Sequence, residues 1–333
     1  MARAWTLASR PTGMPTNENF ALVDLPNEPL ADGQFRVRNH YLSVDPYMRG
    51  RMNDTRSYTA PFELSKPMQG GAVGEVIESR HPGFAIGDKV QHMAGWRDEA
   101  VLSDSWKPNK LPALDVPLQL WLSSLGLTGG TAWFGLMKVA QAKAGDVLFV
   151  SAAAGAVGSA AIQIAKAKGL TAIGSAGGAD KVAWVREIGA DACIDYKAGP
   201  VLPQLRDALK SLGQSGIDIY FDNVGGEHLD AALAVANDHA CFPICGMIDA
   251  YNSGAALELR FAMRIIAARI RVHGFLFSDF MADMPAFQSD MAAMVKAGQV
   301  VARETVFEGL ESTPDAFLGL FSGANTGKML VKL

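Results

Sequence analysis

The second half of the chain alternates short apolar runs with longer amphipathic segments. Strands are predicted at residues 147–151, 171–175, 192–195, 217–222, 240–245 and 271–275. Segments with helical spacing of apolar positions fall between them, for example at 181–188 and 261–268. Short apolar runs separated by helices are typical of a parallel sheet that is covered on both faces. We therefore predict a doubly wound α/β domain over residues 118–300.

The flanking regions have a different pattern. Residues 1–117 contain short strand-like runs, such as 35–38 and 72–77, separated by turns such as 82–83 and 87–88. Residues 301–333 return to strand character and end in the apolar run 328–333. We therefore expect the tail to rejoin the first region, so that 1–117 and 301–333 form one β-rich domain.

Composition narrows the class of protein. The chain has 333 residues, 49% of them hydrophobic and 19% charged, with a net charge of −4. This balance argues against a nucleic-acid partner. The sequence has no apolar stretch of about 18 residues that could span a membrane, and its first residues lack the apolar core of a signal peptide. With only three cysteines at non-metal spacing, we expect a cytoplasmic protein.

The strand at 147–151 runs into a turn of small residues, with a helix pattern directly after it. The pattern Ala153-x-Gly155-x-x-Gly158 fits a dinucleotide-binding turn, in which the backbone approaches a pyrophosphate at a helix N-terminus. Glycine-rich turns also close ordinary hairpins, but here both flanks have the required pattern. The candidate cofactor contacts in the turn are Ala154, Gly155, Ala156, Val157 and Gly158.

The end of the next strand indicates which dinucleotide binds. NAD sites usually carry an acidic residue about 20 positions after the glycines. Here Gly177 and Gly178 stand in that place, and Lys181 follows one helical turn later. An absent carboxylate and a nearby lysine favour the 2′-phosphate of NADP(H), with Gly178 and Lys181 as contacts. The alternative for Lys181 is an ordinary solvated helix residue.

Several ordered motifs carry a resemblance to a known family. They are Val44-Asp45-Pro46-Tyr47-Met48-Arg49, Met68-Gln69-Gly70-Gly71, Leu127-Thr128-Gly129-Gly130-Thr131-Ala132, Ile194-Asp195-Tyr196-Lys197, Asp222-Asn223-Val224-Gly225-Gly226 and Cys245-Gly246-Met247-Ile248. With the turn at 152–158, they resemble the zinc-independent medium-chain dehydrogenases/reductases, in particular the alkenal/one double-bond reductases that include the prostaglandin reductases. The resemblance implies a GroES-like catalytic domain, a Rossmann domain that binds NADP(H), and a homodimer. One departure is Gly130, where many relatives carry a larger residue.

Zinc chemistry is not expected. A catalytic zinc needs three protein ligands from cysteine, histidine and carboxylate side chains. The chain has no cysteine before Cys193, and His40, His81 and His92 are isolated from one another in the sequence. We therefore predict no metal site.

The resemblance also implies roles for individual residues. Tyr251 would donate a hydrogen bond to the negative charge that develops on a substrate carbonyl oxygen, although a loop tyrosine could equally pack against cofactor or substrate. Tyr47 and Arg49 would line the substrate cleft; the alternatives are a core aromatic for Tyr47 and a link between domains for Arg49. The remaining residues implied to contact the cofactor are Thr128, Tyr196, Asn223, Cys245, Tyr251, Phe275, Leu276 and Asn325, the last of which could instead be a simple turn residue.

Three functions are compatible with these observations. The favoured function is NADPH-dependent reduction of the carbon–carbon double bond of an α,β-unsaturated ketone or aldehyde. The alternatives are an NADPH:quinone oxidoreductase and a non-catalytic NADP-binding protein. The motif at 46–49 and Tyr251 argue against the quinone enzyme, and the intact set of donors argues against a protein without activity.

Overall fold

The computed structural model describes residues 2–113, 115–253 and 256–333. Its strands are β1 (Arg3–Leu7), β2 (Phe20–Asp24), β3 (Phe35–Ser43), β4 (Ala72–Ser79), β5 (Lys89–His92), β6 (Glu99–Leu102), β7 (Asn109–Lys110), β8 (Val147–Val150), β9 (Thr171–Ala176), β10 (Ala192–Asp195), β11 (Ile217–Phe221), β12 (Ala236–Ile244), β13 (Arg271–Gly274), β14 (Glu304–Glu308) and β15 (Lys328–Lys332). Its α-helices are α1 (Tyr47–Arg51), α2 (Leu127–Phe134), α3 (Ala156–Ala167), α4 (Ala179–Glu187), α5 (Val201–Ser211), α6 (Gly226–Val235), α7 (Ala250–Ser253), α8 (Arg264–Ala267), α9 (Met284–Lys296) and α10 (Thr313–Ser322).

The chain divides into two compact units. The first contains residues 1–122, 304–325 and 329–333, and the second contains 123–303 and 326–328. No helix among the described residues is long and apolar enough to cross a membrane.

The first unit is β-rich. Strands β1 and β2 form an antiparallel pair, and a larger sheet has the order β14-β15-β3-β4-β5-β7, with β6 also paired to β3. The C-terminal strand β15 pairs antiparallel with β3 at Leu330 and Ser43, so the tail is an integral part of this sheet. One apolar core lies around Leu42, Met48 and Trp96, all fully buried.

The second unit is a six-stranded parallel sheet with the order β10-β9-β8-β11-β12-β13. This order places the first strand of the domain, β8, at the centre, with the chain winding outward in both directions. The predicted combination of a β-rich domain with a doubly wound Rossmann domain is therefore confirmed. All four residues of β8 are buried, as a central parallel strand requires.

Two elements predicted in the second unit differ from the structure by more than two residues at one end. The strand predicted at 240–245 begins at Ala236 in the structure. The sequence pattern missed its first residues because Asp238 and His239 are polar and exposed, so they give no apolar signal. The helix predicted at 261–268 is shorter and spans Arg264–Ala267. Arg269 follows it with a φ of +51°, a left-handed conformation that ends a helix.

Candidate cofactor and active site

The strand order itself creates a crevice for a ligand. Between β8 and β11 the connections leave the sheet in opposite directions, and ligands of such folds bind outside the carboxyl ends of the strands at this point. Ser151 follows β8 and Asn223 lies two residues after β11. The predicted cofactor turn therefore lies at the position that the sheet topology favours.

The turn after β8 is narrow because its residues are small. Gly155 precedes α3 with an extended backbone, and Ala152 has a φ of +48°. A Cβ atom on Gly158 would lie 2.3 Å from the carbonyl oxygen of Ala152, so only glycine fits against the turn. The amides of the first helical turn lack acceptors within their own helix, and they can serve a pyrophosphate. The turn thus fits a dinucleotide.

The segment around residue 327 is attached to this turn. The Gly327 amide donates to the carbonyl oxygen of Ala154 at 2.7 Å, and the two segments form a parallel β-bridge between Gly155 and Gly327. Asn325, the predicted contact from the tail, precedes this bridge by two residues in the sequence.

A second group of polar side chains lies beyond β9. A Cβ atom on Gly177 would lie 2.6 Å from the Tyr196 hydroxyl and 3.0 Å from Cε of Lys197, so both side chains meet this turn. Burial, and next the positive charge of Lys197, lower the pKa of Lys181. Lys181 and Lys197 thus place two interacting positive charges beside Gly177 and Gly178, which themselves carry no carboxylate, and such a pair has an affinity for a phosphate. This arrangement fits the 2′-phosphate of NADP(H).

Sequence reasoning missed two residues in this region. Lys197 was part of a recognised motif without a role of its own. Asp195 accepts hydrogen bonds at Oδ1 from the amides of Gly178 and Lys197, both at 2.9 Å, and these bonds, the one from Gly178 first, lower the pKa of its carboxyl group. Asp195 therefore holds the glycine turn in position. A signal was available, since an aspartate at the end of a strand commonly accepts from nearby backbone amides.

The Tyr196 ring also has a defined support. It packs edge-on against the ring of His228, with a distance of 5.5 Å between ring centroids. His228 is buried, and its Nε2 lies 2.9 Å from the hydroxyl of Ser175. Burial lowers the pKa of His228 to about 4, so the ring is neutral at physiological pH.

At the carboxyl end of β11, Asn223 is held from two sides. Its Nδ2 donates to the carbonyl oxygen of Ser151 at 2.8 Å, and its Oδ1 accepts from the Cys245 thiol at 3.0 Å. Burial, followed by the charge of Asp222, raises the pKa of the Cys245 thiol well above its usual range. Cys245 is therefore a neutral hydrogen-bond donor here and not a nucleophile.

Four of the predicted residues line one open cleft of about 500 Å³. They are Cys245, Tyr251, Phe275 and Leu276, and the other lining residues are Ile244, Gly246, Met247, Gly274 and Asp279. A cleft of this size is large enough for a nicotinamide ring and a small substrate. The structure thus brings together residues that are as much as 31 positions apart in the sequence.

The Tyr251 hydroxyl has a defined place in this cleft. A Cβ atom on Gly246 would lie 3.1 Å from the hydroxyl oxygen, so the phenol reaches the backbone that follows β12. Tyr251 belongs to the short helix α7, whose amide at residue 251 donates to the carbonyl of Ile248 at 3.2 Å. The side chain is half-buried, and a neutral phenol in this place can donate to an oxygen that gains negative charge.

Thr128, another of the predicted cofactor contacts, lies in the first turn of α2. It is buried, and its hydroxyl donates to the carbonyl oxygen of Ser123 at 3.1 Å. The hydroxyl oxygen keeps acceptor capacity in this geometry. A contact with a carboxamide N–H is therefore compatible with the bond to Ser123.

The predicted substrate residues Tyr47 and Arg49 lie on α1 of the first unit. The Tyr47 hydroxyl is buried and has no hydrogen-bond partner among the described residues, and burial raises its pKa well above the usual range. Arg49 is buried, and its guanidinium donates to the carbonyl of Gly13 and to Oδ1 of Asn53, both at 2.7 Å. The Arg51 side chain acts on the Tyr47 hydroxyl in the opposite direction and lowers its pKa, whereas Arg49 holds two segments of its own unit.

The described residues contain no group of three histidine, cysteine, aspartate or glutamate side chains that could hold a metal ion. His92, one of the three histidines considered from the sequence, has a hydrogen-bond partner for each of its ring nitrogens. Its Nε2 lies 2.9 Å from Asn39 Oδ1, and its Nδ1 accepts from the amide of Ala94. Burial lowers the pKa of His92 to about 3.

Comparison with known proteins agrees with the two-unit fold. Residues 3–110 match the family model described as the N-terminal domain of oxidoreductase, and residues 156–297 match the model described as zinc-binding dehydrogenase. Together these models cover most of the chain and mark it as an oxidoreductase of the dehydrogenase/reductase class.

Individual relatives match over nearly the whole length. The NADPH-dependent curcumin reductase of Escherichia coli is 39% identical, covering 99% of this chain and 96% of the relative. The NADP⁺-dependent 2-alkenal reductase of Nicotiana tabacum is 38% identical, covering 96% and 94%. The crystal structure of CurA from Vibrio vulnificus in complex with NADPH superposes with a TM-score of 0.93 at 40% identity, covering 99% and 98%. The chain therefore belongs to the zinc-independent medium-chain dehydrogenase/reductase family.

Proposed function

We propose that this protein reduces the carbon–carbon double bond of α,β-unsaturated ketones or aldehydes with NADPH. The observation that carries the proposal is the cleft in which the Tyr251 hydroxyl lies beside Cys245, Phe275 and Leu276, at the carboxyl ends of the parallel strands. Relatives of similar length that are named as NADPH-dependent reductases of curcumin and 2-alkenals, both of which contain conjugated double bonds, support it.

The cofactor is NADP(H). Bound NADPH supplies the hydride. The turn at 154–158 would hold the pyrophosphate, and Lys181, Tyr196 and Lys197, beside Gly178, would hold the 2′-phosphate. Asn223 would lie near the nicotinamide half of the cofactor, Thr128 would contact the nicotinamide amide or the phosphates, and Asn325 is the contact proposed from the tail. Lysine and tyrosine side chains beside Gly177 and Gly178, two positions that supply no acidic side chain, would discriminate NADPH from NADH through charge-assisted hydrogen bonds.

The chain's own groups act on the substrate oxygen. As the β-carbon accepts a hydride, the electrons of the double bond shift toward the carbonyl and an enolate forms. The Tyr251 hydroxyl donates a hydrogen bond to that oxygen, together with the ribose hydroxyl of the nicotinamide nucleoside. A neutral donor lowers the energy of the developing charge without transferring its proton. The α-carbon then takes a proton from solvent water, which completes the saturated carbonyl product.

Tyr47 and Arg49, both on α1, are the residues proposed to bind the substrate. Tyr47 offers a hydroxyl without a partner among the described residues, which suits a second polar group on the substrate. Arg49 acts on the substrate in this proposal only if it exchanges a bond to Gly13 or Asn53 for a substrate carboxylate.

The test is NADPH oxidation measured with short 2-alkenals, a long-chain enone and 1,4-benzoquinone as separate substrates. We expect turnover of the enals and enones, with a product two mass units heavier than the substrate. With NADPH deuterated at C4, the label should appear on the β-carbon. Turnover of benzoquinone alone would instead assign the quinone oxidoreductase alternative, and NADPH binding without any turnover would assign a non-catalytic protein.

The same proposal includes a homodimer in the reducing cytosol. Strand β13 is the edge of the six-stranded sheet, and all four of its residues are exposed. An exposed strand edge is a template for pairing with a second strand, and Met263, Ile266 and Val272 add exposed apolar area nearby. All three cysteines are free thiols, which suits the cytosol. Light scattering that gives the mass of a single chain at micromolar concentration would contradict the dimer.

A further inference from the structure

The wall of the cleft continues into a segment that the proposed chemistry does not use. After β13, Phe275 and Leu276 line the cleft, and a 3₁₀ helix spans Phe277–Asp283. The Phe277 ring lies on α2 at Gly130. A Cβ atom on Gly130 would lie 2.3 Å from Cε2 of Phe277 and 3.0 Å from its Cδ2. The ring therefore occupies the volume that any side chain at position 130 would fill.

The ring has no room to retreat into the protein. The same Cβ position on Gly130 lies 3.4 Å from the ring of Phe287, which is fully buried. The ring of Phe134 lies 5.6 Å from that of Phe277 and stacks on Phe280 at 5.0 Å. Because protein interiors are close-packed, an added methyl group must push Phe277 away from α2.

Phe275 packs against a second glycine, Gly135, in the same way. A Cβ atom on Gly135 would lie 2.9 Å from Cζ of Phe275 and 2.4 Å from Cε2 of Phe221. Gly135 begins a π-helical segment, Gly135–Ala140, that continues α2. Two side chains that are two residues apart in the cleft-wall segment are thus each fixed on a glycine.

We infer that Phe277, seated on Gly130, is a positioning residue that fixes the Phe275–Leu276 wall of the nicotinamide cleft. The inference rests on the proposed function, since that proposal puts the nicotinamide in this cleft. One hydrogen bond connects the residue before Phe277 to another residue that lines the cleft. The Leu276 amide donates to Oδ2 of Asp279 at 2.9 Å, and Asp279 also lines the cleft. Because Phe277 follows Leu276 directly in the chain, and this bond joins Leu276 to Asp279, we expect a displacement of Phe277 to reach both residues.

Complementary volume changes test this inference. We expect Gly130→Ala to raise the Kd for NADPH about tenfold, because overpacking displaces the wall. Replacing the ring with a smaller side chain by Phe277→Leu in the same chain should return the Kd of the double variant to within about threefold of the wild type. The matched control is Gly199→Ala, since the nearest atom to a Cβ there is Gln204 Nε2 at 3.9 Å. The control should leave Kd, KM and kcat unchanged.

The Kd for NADPH is measured by fluorescence titration without substrate, and melting temperatures are recorded for every variant. Recovery of affinity in the double variant supports the inference, and so does a Gly130→Ala chain that folds only in the presence of Phe277→Leu. Independent, additive effects of the two substitutions would overturn it, as would an unchanged Kd in Gly130→Ala. A wild type that binds NADPH but reduces no enone would defeat the proposed function and leave this titration informative.

Discussion

The hydroxyl of Ser151 donates a buried hydrogen bond to the carboxyl oxygen Oδ1 of Asp222 at 3.2 Å. Ser151 follows the central strand β8 and Asp222 follows its neighbour β11, and neither side chain is exposed. The same oxygen of Asp222 accepts from the amides of Val224 and Gly225 at 2.9 and 2.8 Å. One carboxyl group therefore orients the loops on both sides of the crevice. Burial raises the pKa of this carboxyl group.

Ser151→Ala should destabilise the fold. The Ser151 oxygen also accepts from the Asn223 amide at 2.9 Å, so the substitution leaves a largely buried donor without its partner. We expect the free energy of unfolding to fall by about 1–3 kcal/mol. Denaturant titration measures this as a lower midpoint at constant slope. The control is Ser211→Ala at an exposed helix end; equal unfolding free energies for the two variants would contradict the prediction.

Lys181→Ala should weaken the binding of NADPH but not the binding of NADH. Lys181 is half-buried and close enough to Lys197 for that charge to lower its pKa, so a bound phosphate relieves the repulsion between the two ammonium groups. Because solvent screens a half-exposed contact, we expect the KM for NADPH to rise only about tenfold, with kcat nearly unchanged.

The KM for NADH separates a phosphate contact from a general loss of binding. It should be the same in Lys181→Ala and in the wild type, because NADH has no 2′-phosphate. Lys210→Ala, on the exposed face of α5, serves as the matched control. A parallel rise in KM for both cofactors would remove Lys181 from the phosphate site.

The sequence predicts the features that depend on local pattern. The turn at 152–158 is readable because backbone approach permits only small residues there, and strands such as β8 and β11 are readable because each is a short apolar run between helices. The absence of an acid at Gly177 and Gly178 is likewise a local fact.

Features that depend on distant side chains are not readable in this way. Lys197 meets Gly177 only because β9 and β10 are adjacent, and Phe277 meets Gly130 across 147 positions of sequence. Neither pair leaves a periodic signal. The shortened helix α8 is another such case, since it ends just before the left-handed backbone at Arg269, a conformation that no apolar pattern encodes.

Acid should destabilise the protein below about pH 6.5 because of two buried histidines. The pKa of His92 is lowered to about 3 and that of His228 to about 4, both by burial, from the ordinary value of 6.5. Between those folded values and 6.5, the unfolded chain binds protons that the folded chain does not. The free energy of unfolding therefore has its full value, as far as these two histidines are concerned, above about pH 6.5. It falls as the pH is lowered, by up to about 1.4 kcal/mol per pH unit for each histidine.

His228→Asn removes one of these titrations. Plotting the free energy of unfolding against pH from 7 to about 4.5 should give a shallower slope for the variant than for the wild type. Absolute stability also changes, because Ser175 and Tyr196 lose a neighbour. The slope is therefore the diagnostic quantity, and identical slopes would show that His228 takes up its proton over the same pH range in the folded and the unfolded chain.

Tyr251→Phe should slow the chemical step and leave cofactor binding intact. The substitution keeps the ring in the cleft but removes the hydroxyl that lies against Gly246. Loss of one preorganised oxyanion donor usually lowers kcat by about 10²–10³, and here the cofactor ribose hydroxyl shares the task. We therefore expect a fall of about 10- to 100-fold in kcat on an enone, with the Kd for NADPH unchanged.

Two comparisons make the Tyr251 prediction specific. Tyr41→Phe removes a hydroxyl from strand β3 of the first unit and should leave kcat unchanged. A primary isotope effect with NADPH deuterated at C4 should grow in Tyr251→Phe, because a higher barrier to hydride transfer makes that step more fully rate-limiting. An unchanged kcat would remove Tyr251 from the mechanism. A loss of NADPH binding would instead make Tyr251 a cofactor residue, since a donor that acts only on the developing enolate contributes nothing to the complex before the reaction begins.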